Sequence, residues 1–206
     1  MVVSRQQTDK VKMGKKEDLD KIAREMTENK ALPLSKTTTN LVFGNGNLNA
    51  KIMFIGEAPG YWEDQKGIPF VGAAGKLLDQ LLALIGLSRK DVFVTNIVKH
   101  RPPGNRDPLP EEIAAYKPYL DQEIKIIKPK IIIALGRHAM NLFLGEGKIS
   151  LEHGRGRIIE YQGEKYLFIP MFHPAAALRN SKIKEQLKDD FKKIPLEIKR
   201  LAEPLN

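Results

Sequence analysis

The chain has 206 residues, of which 42% are hydrophobic and 29% are charged, and its formal net charge is +9. This composition is that of an ordinary globular protein with one core, and the lack of any bilayer-length apolar run excludes helical membrane spans. The absence of cysteine excludes disulfides and thiolate-bound metals. The positive charge favours polyanionic partners, although charge alone does not separate DNA from RNA or acidic proteins.

The amino terminus predicts a tail followed by a helix. Residues 1–16 are polar and basic without a period, and we expect them to form a flexible extension. They lack the features of a secretory signal or a transit peptide, so we expect a cytoplasmic protein. Apolar residues at helical spacing then predict an amphipathic helix over residues 17–28. We expect residues 17–206 to form a single domain.

The rest of the chain predicts alternating strands and helices. A turn rich in Gly and Asn over residues 40–49 precedes the first strand. Apolar runs and their flanking Gly and Pro residues predict strands over residues 51–55, 92–95 and 130–135, and helices over residues 73–85, 111–127 and 136–144. Residues 157–161 and 166–171 are typical of a hairpin, and a Lys-rich helix from Ser181 closes the chain.

This order of elements predicts a three-layer α/β/α sandwich with a parallel sheet. The Ile-rich run over residues 130–135 is typical of a parallel strand that is buried on both faces. Three polar segments, GEAPG from Gly56, TNIVK from Thr95 and HPAAALRN from His173, each follow an apolar strand. Because parallel strands end at one edge of a sheet, where such folds bind ligands, we expect these segments to build one pocket.

Other common motifs do not explain the chain. The segment from Gly72 resembles a phosphate-binding loop but lacks its glycine spacing and its Ser or Thr. The histidines are too scattered for a zinc site, and we expect no metal centre: His100, His138, His153 and His173. We interpret His138 and His153 as structural. His173 differs, because a strand positions its entry and Pro174 stiffens its exit.

Three side chains in or after these segments suit the recognition of a flat ring and its attached sugar: Glu57, Phe70 and Asn96. The amide of Asn96 either caps the adjacent turn or complements an imide edge such as N3–H and O4 of uracil, a pattern that cytosine reverses. Phe70 lies in a Gly/Pro-rich loop and is either a stacking platform or an anchor to the core. Glu57 either braces its loop or holds a water and stabilises positive charge on a sugar.

Several long motifs, in order, resemble family 4 of the uracil-DNA glycosylase superfamily. They are GEAPG with ED-x-x-G-x-PFVG, TNIVK-x-RPPGNRDP, and HPAA-x-LRN, and the resemblance runs over residues 33–180. It implies a central four-stranded parallel sheet between helices. It also implies a base excision repair enzyme that flips uracil out of DNA and hydrolyses its N-glycosidic bond, leaving an abasic site.

The resemblance implies a role for each residue of the predicted pocket. Phe70 stacks on the flipped uracil, and Asn96 reads its N3–H and O4. His173 donates to O2 as negative charge builds on the departing base. Glu57 positions the water or stabilises the cationic sugar.

Further residues are expected to contact the base or the DNA. In the GEAPG segment we expect Gly56 and Ala58 to line the base site. The expected DNA contacts combine a basic rim with a wedge that enters the emptied stack: Lys99, Arg101, Arg106, Ala177, Leu178, Arg179 and Lys182. The expected partner is uracil-containing DNA, single- or double-stranded. We expect no membrane association and a monomer, with a sliding clamp as a candidate protein partner.

One departure from the family concerns its 4Fe-4S cluster, which family members usually bind through four cysteines. The corresponding positions here are Asn29, Leu32, His100 and Tyr116. Because Asn and Leu cannot replace thiolate ligands, we expect no cluster and no cofactor. Leu32 and Tyr116 are expected to pack together as an apolar plug.

A second departure is Ala177, where relatives often carry a larger wedge residue, while Leu178 is retained. Two alternatives to a uracil-DNA glycosylase stay open. In the first, the protein is a cluster-less paralogue that binds DNA or uracil without cleavage. In the second, it is a glycosylase for another deaminated base such as hypoxanthine or xanthine.

Overall fold

The computed structural model describes residues 5–202, with side chains over residues 13–199. The elements in chain order are α1 (Arg5–Glu28), β1 (Asn45–Gly46), β2 (Ile52–Gly56), α2 (Tyr61–Lys66), α3 (Ala73–Leu84), β3 (Val92–Asn96), α4 (Pro110–Ile127), β4 (Ile131–Leu135), α5 (Arg137–Leu144), α6 (Ile149–Glu152), β5 (Arg157–Tyr161), β6 (Glu164–Met171), α7 (Pro174–Arg179) and α8 (Ser181–Ala202). In this part of the chain, no helix combines the length and apolarity needed to cross a membrane.

The strands form one six-stranded sheet in the order β1-β3-β2-β4-β6-β5. The central strands β3, β2, β4 and β6 are parallel, which confirms the predicted four-stranded parallel sheet. An antiparallel strand extends the sheet at each edge, since β1 pairs with β3 and β5 pairs with β6. The β5–β6 pair is the predicted hairpin. Strand β1 has only two residues, too few to show an alternating pattern.

Helices cover both faces of the sheet because successive residues of each buried strand project to opposite sides. Ile52 and Phe54 of β2 project into a core shared with α3, α7 and α8. Met53 and Ile55 project into a second core, shared with α1, α4 and α5. The predicted three-layer sandwich is therefore confirmed.

The structure differs from the sequence prediction in several helices. Helix α1 begins at Arg5, well before the predicted start at residue 17. Residues 1–4 lie outside the described part of the chain, and the flexibility of residues 1–16 stays a prediction. Helices α2, α6 and α7 occupy segments for which no helix was predicted, and they have only 6, 4 and 6 residues. Helices this short cannot display a helical period.

The register of the parallel strands brings their carboxyl ends together. Gly56 at the end of β2 pairs with Asn96 at the end of β3. Leu135 at the end of β4 likewise pairs with Met171 at the end of β6. The chain therefore leaves all four strands at one edge of the sheet, where the polar segments follow.

Candidate active site

A cavity of about 410 Å³ opens at this carboxyl edge. The segments after β2, β3 and β6 line it, together with the loop that precedes α3. Its lining includes Glu57, Ala58, Gly60, Phe70, Asn96, Asp107, His173 and Arg179. The three polar segments that the sequence singled out therefore meet in one cavity.

Phe70 forms one wall of the cavity, and its ring centroid lies 5.7 Å from that of His173. Its φ of 55° is a conformation that residues other than glycine rarely adopt. Arg89 Nη2 stabilises this conformation by donating to the Phe70 carbonyl at 2.7 Å. A Cβ at Gly75 would lie 1.8 Å from the same oxygen. Phe70 is 7% exposed and packs on the core, so it both anchors its loop and faces the cavity.

Gly56 allows Phe70 and Asn96 to approach each other. A Cβ at this position would lie 2.4 Å from Oδ1 of Asn96 and 2.5 Å from Cζ of Phe70. The Asn96 side chain is buried, and among the described residues its Oδ1 has no hydrogen-bond partner. An unpaired buried acceptor costs about 1–3 kcal/mol. The cavity therefore presents an oxygen that can accept a hydrogen bond from a ligand.

Lys99 was predicted to contact DNA, and this prediction is wrong. The residue is fully buried, and its Nζ donates to the Asn96 carbonyl at 2.7 Å and to Thr95 Oγ1 at 2.6 Å. It also forms a buried ion pair with Glu123 of α4. Burial lowers the pKa of Lys99, and the Glu123 carboxylate opposes that change. The turn after β3 directs Lys99 into the core, where its charge offsets that of the buried Glu123 carboxylate. Its hydrogen bond to the Asn96 carbonyl helps to fix the backbone of Asn96.

His173 caps the amino terminus of α7, and its Nδ1 accepts a hydrogen bond from the amide of Ala175 at 3.1 Å. Burial lowers the pKa of His173 to about 4, with Glu63 acting in the opposite direction. The ring is therefore neutral at physiological pH. Because Nδ1 accepts, the remaining proton is on Nε2, which is free to donate to a ligand.

Glu57 follows β2 and lies beside Asp107 and His138, with one ligand-type atom of each within 4.8 Å of the others. Burial raises the pKa of Glu57, and attraction to His138 opposes the rise. Arg137 Nη2 donates to Asp107 at 2.5 Å, and Nε2 of His138 lies 3.4 Å from the same carboxylate. Two carboxylates and an imidazole are a ligand set that a divalent cation accepts. Arg137 already pairs with Asp107, so the protein itself supplies a cation to this cluster.

Sequence reasoning missed three residues of this site. His138 was interpreted as structural, and Asp107 and Glu63 stood only within the quoted motifs RPPGNRDP and ED-x-x-G-x-PFVG, with no role assigned to either. Glu63 Oε1 accepts from the amides of Val71 and Gly72 at 2.9 and 2.8 Å, which ties α2 to the Phe70 loop. The available signal for His138 was its place just after β4, at the same edge as the other strand ends.

The predicted DNA contacts at the rim are mostly exposed. Arg179 is exposed and lines the cavity, Lys182 is exposed on α8, and Leu178 is 49% exposed. Arg106 is also exposed, but its guanidinium binds both carboxylate oxygens of Glu112 at 2.8 and 2.6 Å. Ala177 is 2% exposed and packs in the core, so its expected role in the wedge is wrong. Ala177 lies on the side of α7 that packs against the core.

Comparison with known proteins matches residues 43–195 to the model of the uracil DNA glycosylase superfamily. The chain belongs to this superfamily. It is 49% identical over 183 residues to the type-4 uracil-DNA glycosylase of Archaeoglobus fulgidus, covering 86% of this chain and 92% of that protein. It is 48% identical over 184 residues to the enzyme of the same name from Sulfurisphaera tokodaii, covering 86% and 84%. For the Thermotoga maritima type-4 enzyme the identity is 49% over 150 residues, covering 73% and 78%.

Within this superfamily the type-4 members were expected to hold an iron–sulfur cluster, and the residues present here do not fit one. The chain has no cysteine. The side-chain amide of Asn29 donates to Tyr119 at 3.2 Å, and Leu32 is buried in the core. The hydroxyl of Tyr116 bonds Nδ1 of His100 at 2.6 Å and donates to the Pro33 carbonyl. These contacts fill the region with packed and hydrogen-bonded side chains.

The predicted packing of Leu32 with Tyr116 agrees with the structure in that both residues belong to one core. The plug is not wholly apolar, because the Tyr116 hydroxyl is hydrogen-bonded. Burial lowers the pKa of His100 to about 4 and raises the pKa of Tyr116. Both groups are therefore neutral, and the segment carrying His100 is held without a metal.

Proposed function

We propose that this protein removes uracil from DNA by hydrolysing its N-glycosidic bond and leaving an abasic site, as a base excision repair enzyme. One observation carries the proposal: a flat ring, an unpaired amide oxygen and a neutral imidazole line the same cavity, contributed by Phe70, Asn96 and His173. Membership of the superfamily and the names of its type-4 relatives support it.

Recognition of uracil follows from the Asn96 amide. Its unpaired Oδ1 accepts from N3–H of the base, and its Nδ2 donates to O4. Cytosine has an acceptor at N3 and a donor at C4, so it would face the amide with like groups. Phe70 stacks on the base, and the missing side chain of Gly56 leaves room for this close approach.

Catalysis follows from where charge develops. As the bond between C1′ and N1 breaks, its electron pair stays on uracil and spreads to O2, while the sugar becomes oxocarbenium-like. We assign to neutral His173 a hydrogen bond from Nε2 to O2, which strengthens as negative charge builds there. We assign to Glu57 the stabilisation of the cationic sugar or the orientation of the water that attacks C1′. The proton released by this water balances the uracil anion.

The base reaches this cavity only after it leaves the stack. Leu178, exposed beside the cavity, is the side chain that we assign to the emptied position in the stack. Arg179 and Lys182 supply positive charge for the phosphates next to the flipped nucleotide. Both single- and double-stranded DNA can be substrates. The free energy of flipping the uracil is lower in a single strand, because no base pair has to be broken.

The proposal extends to the setting of the reaction. Every stabilising group named above is a side chain of this chain, and the proposed hydrolysis requires no cofactor. We propose a monomer that acts in the cytoplasm, with a sliding clamp as a candidate partner.

An oligonucleotide with one uracil tests the proposed function. After incubation and alkali treatment, strand breakage at uracil is expected with the native protein. Asn96→Ala and His173→Ala should each slow excision by about 100-fold or more, the usual effect of removing a group that stabilises developing charge. Leu151→Ala, exposed on α6, is the control and should cleave normally.

The remaining outcomes identify the alternatives. DNA binding without breakage selects a binding protein, and breakage only at hypoxanthine or xanthine selects another lesion. Full activity in both the Asn96 and the His173 variants contradicts the proposed site.

A further inference from the structure

Two exposed aromatic side chains lie beside the cavity and take no part in the mechanism above. Tyr61 and Trp62 begin α2, directly after Gly60, which lines the cavity. Tyr61 is 49% exposed and Trp62 is 57% exposed. Their ring centroids lie 5.1 Å apart in an edge-on arrangement. Both rings thus offer apolar faces to solvent at the place where DNA would arrive.

A cation lies over the ring of Tyr61. The guanidinium carbon of Arg101 is 5.3 Å from the ring centroid of Tyr61. Nε of Arg101 donates to Oδ1 of Asn105 at 2.6 Å, and Asn105 lines the cavity. The aromatic pair is therefore connected to the rim of the cavity both along the chain, through Gly60, and through this hydrogen bond.

We propose that Tyr61, Trp62 and Arg101 form a stacking platform for an unpaired base of the DNA strand next to the flipped uracil. This inference rests on the proposed function. Aromatic faces stack on any base regardless of its sequence, and an arginine contributes both a planar face and a charge for the phosphate. Continuity with the cavity and the positive charge of Arg101 favour a nucleic acid strand as the occupant.

The platform predicts a preference for single strands. A base within a duplex is already stacked on its neighbours, so it must lose those contacts before it can cover Tyr61 or Trp62. An unpaired base gives up fewer stacking contacts when it binds, and it gains the same contact with Tyr61 or Trp62. The platform therefore favours uracil in single-stranded DNA over uracil in a duplex.

The sequence provides its own reporter, because Trp62 is the only tryptophan of the chain. Its fluorescence should be quenched when a single-stranded oligothymidine without uracil is titrated, since a stacked base quenches indole emission. A matched duplex should bind about tenfold more weakly. This titration measures binding without requiring excision.

Variants at Tyr61 retain the reporter and separate a π face from mere apolar bulk. Tyr61→Leu should weaken oligothymidine binding by about tenfold, within the range measured when one base loses an aromatic partner. Tyr61→Phe should bind within about twofold of the native protein. Leu84→Ala is the control for an exposed apolar residue, at 49% exposure on the last residue of α3, and should bind normally.

Trp62→Leu and Trp62→Phe repeat the comparison with a labelled oligonucleotide and fluorescence anisotropy, and thermal unfolding checks that each variant is folded. The platform is wrong if saturating oligothymidine leaves Trp62 emission unchanged, or if the leucine variants bind as tightly as the phenylalanine variants. Equal affinity for single strand and duplex overturns the strand preference. If the native protein binds through the platform but releases no uracil, the platform stands as a DNA surface and the proposed function fails.

Discussion

Removing the carboxylate of Glu123 tests how the core supports Asn96. Three donors point at this carboxylate: Nζ of Lys99, Oγ1 of Thr95 at 3.0 Å and the amide of Gly44 at 3.1 Å. Glu123→Ala leaves the fully buried Lys99 without its anion. Breaking a buried pair in this way costs about 3–5 kcal/mol. Since a domain is stable by about 5–15 kcal/mol in total, the variant should lose a large part of its stability.

Chemical and thermal unfolding followed by circular dichroism measure this loss. For a chain of this size, each kcal/mol lowers the unfolding midpoint by about 2–4 °C, so we expect a decrease of about 6–20 °C. The matched control is Glu185→Ala, which removes an ion pair with Lys188 in which the glutamate side chain is 68% exposed. Exposed pairs contribute little, and the control should change stability by less than about 1 kcal/mol.

A double variant separates the ion pair from the shape of the core. Lys99→Met with Glu123→Leu removes both charges and should recover most of the stability lost in Glu123→Ala, because no charge is left unpaired. The rate of uracil excision should nevertheless be lower in the double variant than in the native protein, because the Asn96 carbonyl has lost its hydrogen-bond donor. A loss below about 1 kcal/mol in Glu123→Ala would refute the reasoning, because Lys99 would then be neutral or hydrated in the native protein.

Three further predictions concern the site itself. Burial raises the pKa of Glu57 above its ordinary value, whereas the pKa of His173 is lowered to about 4, so acidification should protonate Glu57 first. The excision rate of the native protein should therefore decrease as the pH is lowered. The residual excision rate of Glu57→Gln should stay constant until the pH nears 4. Gly75→Ala places a Cβ 1.8 Å from the Phe70 carbonyl and should lower both the thermal midpoint and excision. Gly14→Ala in α1 meets nothing within 4 Å and should be neutral or stabilising by up to about 1 kcal/mol; the opposite order of midpoints would contradict the packing argument. Leu178→Ala should slow excision from a duplex more than from a single strand in a gel assay, and equal losses on the two substrates would exclude a wedge.

The sheet could be predicted from the sequence because its signals are local. The Ile-rich run over residues 130–135 and the short apolar runs before Gly56 and Asn96 read as buried strands without knowledge of their neighbours. Gly and Pro residues between these runs marked where each strand or helix ends. Strand β1 and helix α2 escaped prediction, because two and six residues are too few for a period, and their existence depends on pairing and packing with distant segments.

The site was predictable only in part, for a related reason. Phe70, Asn96 and His173 could be singled out because each follows a strand or lies in a constrained loop, and topology alone brings strand ends together. The sequence does not say which way a side chain points. Lys99 was expected at the surface with the other cations, and only the packing of α4 on the sheet shows that Glu123 holds it in the core.

By itself, then, the sequence determined the order of the parallel strands along the chain, the edge of the sheet that carries the site, and Phe70, Asn96 and His173 as residues with the chemistry to use it. The tertiary structure decided which of those residues are buried and what they contact. It made His173 neutral, left Oδ1 of Asn96 without a partner among the described residues, placed Glu57 beside Asp107 and His138, and buried Ala177. The physical reason is that strand and helix formation depend on neighbours along the chain, whereas burial, charge state and hydrogen bonding depend on groups that only folding brings within a few ångströms.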